Sequence, residues 1–236
     1  MSVLTAIQDA CAEALGISPV PTAIYGASTR LAVELSALAN DVAADIIAEH
    51  EWQKLRTIRT ITGDGTTADY DMPSDFDRLP RTKSLWSSRL GSRYCHIEDL
   101  DQWLGMDVLN YDQAMNAWTI YGDQIHFKPT PSSGETISFW YQSNLIARPS
   151  GGGANKAAFD ADGDTFRLSE RLLKKGIIWR WRAAKGLPYA EHQEDYEIVK
   201  ERLIGADGAA RGILKQPEAM NRDGVRIAYP VALSGL

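Results

Sequence analysis

The stretch DADGDT at 160–165 sets three carboxylates around a glycine, the composition of a calcium loop. An EF-hand loop needs Gly at its sixth position and Glu at its twelfth. Counted from Asp160, those positions hold Thr165 and Arg171, so the stretch reads as an Asp-rich turn. The four histidines, His50, His96, His126 and His192, lie far apart, and no two have the i, i+4 spacing of a helical metal pair. Cys95 and His96 are adjacent, and adjacent residues on a strand point to opposite faces, which is poor geometry for a nucleophile and its base. GDGTT at 63–67 lacks the strand and helix that a phosphate loop requires. No catalytic residue, metal site or cofactor is expected.

Charge on helices is the more informative signal. The segment LSERLLKKGIIWRWRAAKG at 168–186 reads as a helix. On its wheel Arg171, Lys174, Lys175, Arg182 and Lys185 fall within about 100° of one another, a narrow basic stripe. Leu172, Leu173, Ile177, Trp179, Trp181 and Ala184 form the apolar remainder, with Arg180 in its middle. An ionised group there is costly unless it is paired, so Arg180 is expected to meet a carboxylate or backbone carbonyls. A second helix, 28–50, carries Glu34, Asp41, Asp45 and Glu49 within roughly 80°, beside an apolar face of Leu35, Ala39, Val42 and Ile46. Each stripe is either a solvated face or a contact with a partner surface, on a neighbouring subunit or on another protein. The acidic one could also line a channel.

These helices belong to a chain whose period changes twice. Residues 2–15 read as a short amphipathic helix, broken by the Pro- and Gly-rich stretch GISPVPTAIYGAS. Ser28 is the expected N-cap of the long helix that follows. KLRTIRTIT then alternates as a strand, and residues 82–88 are a further strand candidate. IEDLDQWLG reads as a short helix. AWTIYGDQIHFKPTP reads as a hairpin turning at Gly122-Asp123, and ETISFWYQSNLIA adds a third strand. Residues 149–158 are a flexible loop by composition. Helices return at about 168–186 and 188–206, with Ser169 or the preceding turn starting the first, Gly186 ending it and Pro188 opening the next.

The expected fold is therefore α+β. Residues 1–52 and 168–207 form one helical bundle of two N-terminal and two C-terminal helices. Residues 53–167 are a β-rich insertion, and 208–236 an extended C-terminal arm.

The chain has 236 residues and a net charge of −6. That acidity argues against a general nucleic-acid binder held by phosphate contacts. No apolar stretch is long enough to cross a bilayer, and the first residues lack the basic start of a signal peptide. Two cysteines cannot make a disulfide framework or a zinc site, and synthesis in a reducing intracellular compartment is expected. Charge comes in blocks: −6 over 1–52, +3 over 53–93, −7 over 94–166, +6 over 167–186, −4 over 187–207 and +2 over 208–236. Alternating blocks suit a protein that packs against copies of itself or several partners.

Three features, in order, carry a family resemblance: the helix–turn–long helix ending in EHEWQKL; YDMPSDFDRLPR followed by WTIYGDQIHFKPTPSSGETISFWY; and LSERLLKKGIIWRWRAAKGLPYAEHQEDYE. Over about residues 1–207 the chain resembles the phage adaptor (head-to-tail connector) family, which includes the ring below the portal of short-tailed phages. The resemblance implies a structural virion protein. It forms a ring, usually of twelve copies, binds the portal protein, continues the DNA channel and gives a platform to the next tail or nozzle protein. DNA passes without sequence-specific binding, and no membrane is involved. The implied place is the head–tail interface of a virion made in the host cytoplasm. An acidic lumen would repel phosphates, in keeping with the net charge. Two alternatives remain open: a tail-associated peptidoglycan hydrolase, which needs a carboxylate of raised pKa facing a second one, and another neck ring such as a stopper or tail-completion protein.

The last segment adds a docking signal. Val225, Ile227, Tyr229, Val231 and Leu233 alternate with smaller or polar residues, a strand pattern. Pro230 confines such a strand to an edge. Residues 206–224 read as a linker able to span roughly 60 Å when extended. The expected partner of the arm is the portal; the other reading folds it back onto its own β region.

Overall fold

The computed structural model describes residues 2–108 and 116–209. Helix α1 (Val3–Ala10) starts at Ser2, whose hydroxyl accepts from the Thr5 N–H at 3.3 Å. It runs into a π-helical turn, Cys11–Leu15, which stops at Gly16 with φ +67°. Helix α2 (Arg30–Glu49) is capped by Thr29 rather than Ser28. The Thr29 hydroxyl accepts from the Ala32 N–H, and the backbone at Thr29 is still extended. Helix α4 (Glu170–Ala184) is capped by Ser169 and ends before Gly186, whose φ of +68° suits only glycine without strain. Helix α5 (Ala190–Ala209) reaches two residues into the segment read as the arm.

Helix α4 is the centre of the helical body and packs against α1, α2 and α5. Its buried residues are Leu172, Leu173, Gly176, Ile177, Ile178 and Trp181. They share one core with Val3, Ile7, Leu35, Val42 and Ile46, and with Tyr196 and Val199 of α5. Because three helices press on it, the buried arc of α4 is wider than a single amphipathic stripe. Arg180 falls within that arc, but its long stem carries the part-exposed guanidinium out to Asp45 of α2. Gly176 permits the closest approach: a Cβ there would sit 2.4 Å from Val42 Cγ1 and 3.3 Å from Tyr196 Cε2.

Between the helix pairs, among the described residues, lie a 3-10 turn (Gln53–Leu55), ten strands and a short helix. Strands β1 (Arg56–Thr62), β3 (Phe76–Arg78) and β4 (Leu85–Ser87) all pair antiparallel with β8 (Thr136–Ser143), which is central in a four-stranded sheet. A second four-stranded sheet has the order β2 (Asp69–Asp71), β7 (Gln124–Lys128), β6 (Ala117–Tyr121) and β5 (Cys95–His96). The hairpin β6–β7 turns at Gly122-Asp123, both with positive φ, as a two-residue hairpin turn demands. The third strand of the sequence reading, β8, joins the other sheet instead of extending this hairpin. Ile61, Leu85, Ile137 and Phe139 from the first sheet and Trp118, Ile125 and Phe127 from the second form one core, so the two sheets face each other as a sandwich.

Helix α3 (Leu100–Val108) covers the outer face of the second sheet. Ala117 and Lys128 alternate with the inward Trp118 and Phe127. On that outer face Ala117 packs with Trp103 and Met106 of α3, and the Lys128 ammonium donates to the Trp103 carbonyl at 2.7 Å.

The short pair β9 (Ala147–Arg148) and β10 (Thr165–Phe166) connects the sandwich back to α4. Although read with the insertion, its Ala147 and Phe166, with Ile146 and Phe159, pack into the helical core. The 149–158 loop is tied down by backbone bonds between Ala147 and Lys156. The helical body and the sandwich also meet where Arg78 of β3 donates to the Ile47 and His50 carbonyls at the end of α2.

Candidate functional site

Most residues of the two charged stripes find partners inside one chain, and the stripes meet each other directly at Lys185 and Glu34. Lys185 reaches Glu34 at 2.8 Å, and Glu34 also takes Arg30 at 2.8 Å. Arg180 pairs with Asp45. Glu49 takes Lys200 of α5 at 3.1 Å. Asp41 is exposed and has no ion pair among the described residues. On the other side of α4, Lys174 and Lys175 each contact Glu13 at 2.8 Å, and Lys175 also reaches Asp195. Hydrogen bonds from both lysines hold the Glu13 carboxyl down at about 2. The Arg182 guanidinium donates to the Ala14 and Pro188 carbonyls. Of the basic stripe, only Arg171 is exposed without an ion pair among the described residues. These contacts brace the π-helical turn, α2 and α5 against α4, and α2 against α5. They are largely solvent-accessible, so each contributes at most about 1 kcal/mol.

Two polar hubs stand out, of which the first, Glu135, escaped the sequence reading and the second is the Asp-rich turn it singled out. Glu135, with a side chain wholly buried, accepts from the hydroxyls of Ser87 and Tyr94, the Arg89 guanidinium at 2.9 Å and the Ser132 N–H at 3.0 Å. Burial works against its ionisation, but these donors outweigh burial and hold the carboxyl below its usual range. The Tyr94 hydroxyl is pushed up to about 12 by burial and by Glu135. Glu135 thus stitches the end of β8 to the β4–β5 loop. An acid held ionised in this way is not a proton donor.

The second hub is the Asp-rich turn. Asp162 accepts from the Ile24 and Tyr25 N–H groups at 3.0 and 2.9 Å. Asp164, buried, accepts from Lys156 and from the N–H groups of Asp160 and Ala161. Burial opposes its ionisation too, yet those bonds keep it low. Asn40 of α2 exchanges two hydrogen bonds with the Phe159 backbone beside this turn. The carboxylates that suggest a calcium loop therefore bond to protein donors. Among the described residues no group of three or more His, Cys, Asp or Glu is arranged to hold a metal ion. His126 bridges the Asp69 carboxylate and the Tyr121 carbonyl and stacks on the Tyr121 ring.

Large apolar side chains stand exposed on both outer faces of the sandwich. On the first sheet Ile58 lies directly across from Trp140, and Trp86 across from Ser138, so one patch spans β1, β8 and β4. Trp140 and Ile58 are about half exposed, and the Arg93 guanidinium lies over the Trp86 ring. On the opposite side, Leu100, Leu104 and Val108 follow each other at i, i+4 and i+8 along the outer face of α3 and are 50%, 62% and 75% exposed. The arm residues Val225, Ile227, Tyr229, Val231 and Leu233 lie outside the described residues. Among the described residues no helix is long and apolar enough to cross a membrane.

A family model described as the SU10 adaptor protein matches residues 1–227. The chain belongs to that family, which makes it a phage adaptor protein with a structural role in the virion. A comparison with curated proteins found no match.

Proposed function

We propose that this phage adaptor is the repeating subunit of a ring, twelve copies in the full assembly, seated below the portal at the head–tail interface. The ring continues the DNA channel and carries the next tail or nozzle protein. The observation that carries the reading is the family match across nearly the whole chain. The molecule's layout supports it. A helical body, internally braced by its own charges, presents a β-sandwich with apolar residues exposed on two opposite faces. Such surfaces suit contacts between proteins rather than turnover of a small substrate. The net charge of −6 favours passage of DNA without adhesion.

Within this reading the arm docks on the portal through residues 225–233, adding an edge strand or filling an apolar groove. Electron microscopy of the purified chain, with and without its portal, tests the proposal. Rings are expected, with an extra layer under the portal in the mixture. Removal of residues 213–236 is expected to leave a folded protein that no longer binds the portal. A chain that adds no layer to the portal would refute the proposal, and equal portal binding by the truncated chain would refute the role of the arm.

A further inference from the structure

We infer that the α3 ridge of one copy packs on the outer face of the first sheet of the next copy, and that this contact is repeated around the assembly. The inference rests on the ring reading and specifies which surfaces close the ring.

Three observations point to a second copy as the occupant of both surfaces. The surfaces lie on opposite sides of the same sandwich, α3 outside the second sheet and the Ile58–Trp86–Trp140 patch outside the first. Two different patches on opposite sides generate a head-to-tail contact, which closes into a ring when the rotation between copies allows. Their shapes correspond. Helix α3 is nine residues long, roughly 13 Å, and presents a ridge of Leu100, Leu104 and Val108. The patch is a flat face three strands wide, about 10 Å between its outer strands. A helix ridge on a sheet face is the ordinary way these elements bury apolar surface.

Their charges are also opposite. Asp99 and Asp101 stand exposed at the start of α3, and neither has a cationic partner among the described residues. Arg93 stands exposed beside Trp86 and has no carboxylate partner among the described residues. Within one chain these groups are on opposite sides of the sandwich; in a head-to-tail pair they meet.

Sedimentation velocity of the full chain tests the contact through Leu104→Glu and Trp140→Glu, with Ile58→Glu as a second change on the sheet side. All three positions are more than half exposed, so circular dichroism and thermal melting should match the parent. Each variant alone should associate at least about tenfold more weakly than the parent, as expected for loss of a buried apolar anchor. A mixture of Leu104→Glu with Trp140→Glu, or with Ile58→Glu, should give dimers and nothing larger. One chain still offers an intact sheet face, the other an intact ridge, and the pair then has no working surface left. A mixture that stays monomeric, or a variant that forms rings like the parent, overturns this contact and leaves the ring reading in place; the faces would then serve the portal or a tail protein. A parent chain that never self-associates, alone or on the portal, overturns the ring reading itself.

Discussion

Gly176→Ala is the sharpest test of how the helical body is packed. The added Cβ would lie 2.4 Å from Val42 Cγ1, far inside van der Waals contact, and 3.3 Å from Tyr196 Cε2. The tyrosine ring can shift by a few tenths of an ångström. Val42 cannot swing away as easily, because a β-branched side chain in a helix has essentially one rotamer. Either α2 moves off α4 or Val42 leaves its rotamer, an overpacking cost of about 1–3 kcal/mol. Against this, Ala is favoured over Gly in a helix by about 1 kcal/mol. The net expectation is destabilisation of about 1 kcal/mol, roughly 2–4 °C in melting temperature for a chain of this size. The sign should reverse with Val42→Ala. That change alone costs about 2 kcal/mol, two buried methyl groups plus residual cavity. It also removes the atom that the new Cβ would strike. In that background Gly176→Ala should be stabilising by up to about 1 kcal/mol. The cycle of four proteins, followed by urea unfolding, should give a coupling of about 2 kcal/mol. If Gly176→Ala stabilises the parent chain, the close approach of α2 and α4 is not what holds glycine at this position.

Two further outcomes follow from the polar contacts. Glu135→Gln turns one of two acceptor oxygens into a donor facing donors and should cost about 2–3 kcal/mol by urea unfolding at pH 7. The Glu135 carboxyl is held below its usual value of 4.5, so its contribution is present above that pH and lost as pH falls through the lower folded value. The gap between parent and Glu135→Gln should therefore narrow below about pH 4.5; a gap independent of pH would mean that shape, not charge, is lost. Reversing Lys174 and Lys175 to Glu brings like charge against Glu13 and Asp195 and should lower monomer stability by roughly 1 kcal/mol. Adding Glu13→Lys should restore most of this in thermal melts at low salt, and 1 M salt should shrink the whole effect.

The elements were legible because their signals are local. Ser169, Gly186 and the Gly122-Asp123 turn each act over a few residues, and the structure uses all three. The partners of the strands were not legible. Alternation in KLRTIRTIT and ETISFWYQS says that each is half-buried, but their pairing crosses most of the insertion and leaves no trace within either segment. The Thr29 cap was missed by one residue, since Ser28 and Thr29 carry equivalent hydroxyls and only the backbone decides between them. Glu135 sits in an unremarkable GETIS and becomes a hub only when Ser87, Arg89 and Tyr94 fold over it. The helix wheel located both charged stripes, but it has no knowledge of neighbours. It places Arg180 among apolar residues but does not show that the long stem carries the guanidinium out to Asp45.

The charge blocks then acquire a spatial meaning. The −6 of residues 1–52 lies against the +6 of residues 167–186, and the pairs from Glu13, Glu34 and Asp45 cancel much of that charge within the helical body. In the sandwich the cancellation is partial: Lys83 pairs with Glu98 at 2.6 Å and Arg89 with Glu135 at 2.9 Å. Residues 94–128, which supply α3 and three of the four strands of the second sheet, hold six acids and one base. Residues 53–93, which supply three of the four strands of the first sheet, hold eight bases and five acids. Glu135 and Arg89 join at one end of the first sheet, but the exposed Asp99 and Asp101 remain on one side of the sandwich and the exposed Arg93 on the other. A subunit polarised in this way lowers its electrostatic energy by stacking head to tail, and a two-fold pairing of like faces would raise it. The same polarity that leaves each copy incomplete gives addition a direction, and the apolar ridge and patch supply the affinity that screened surface charges alone do not.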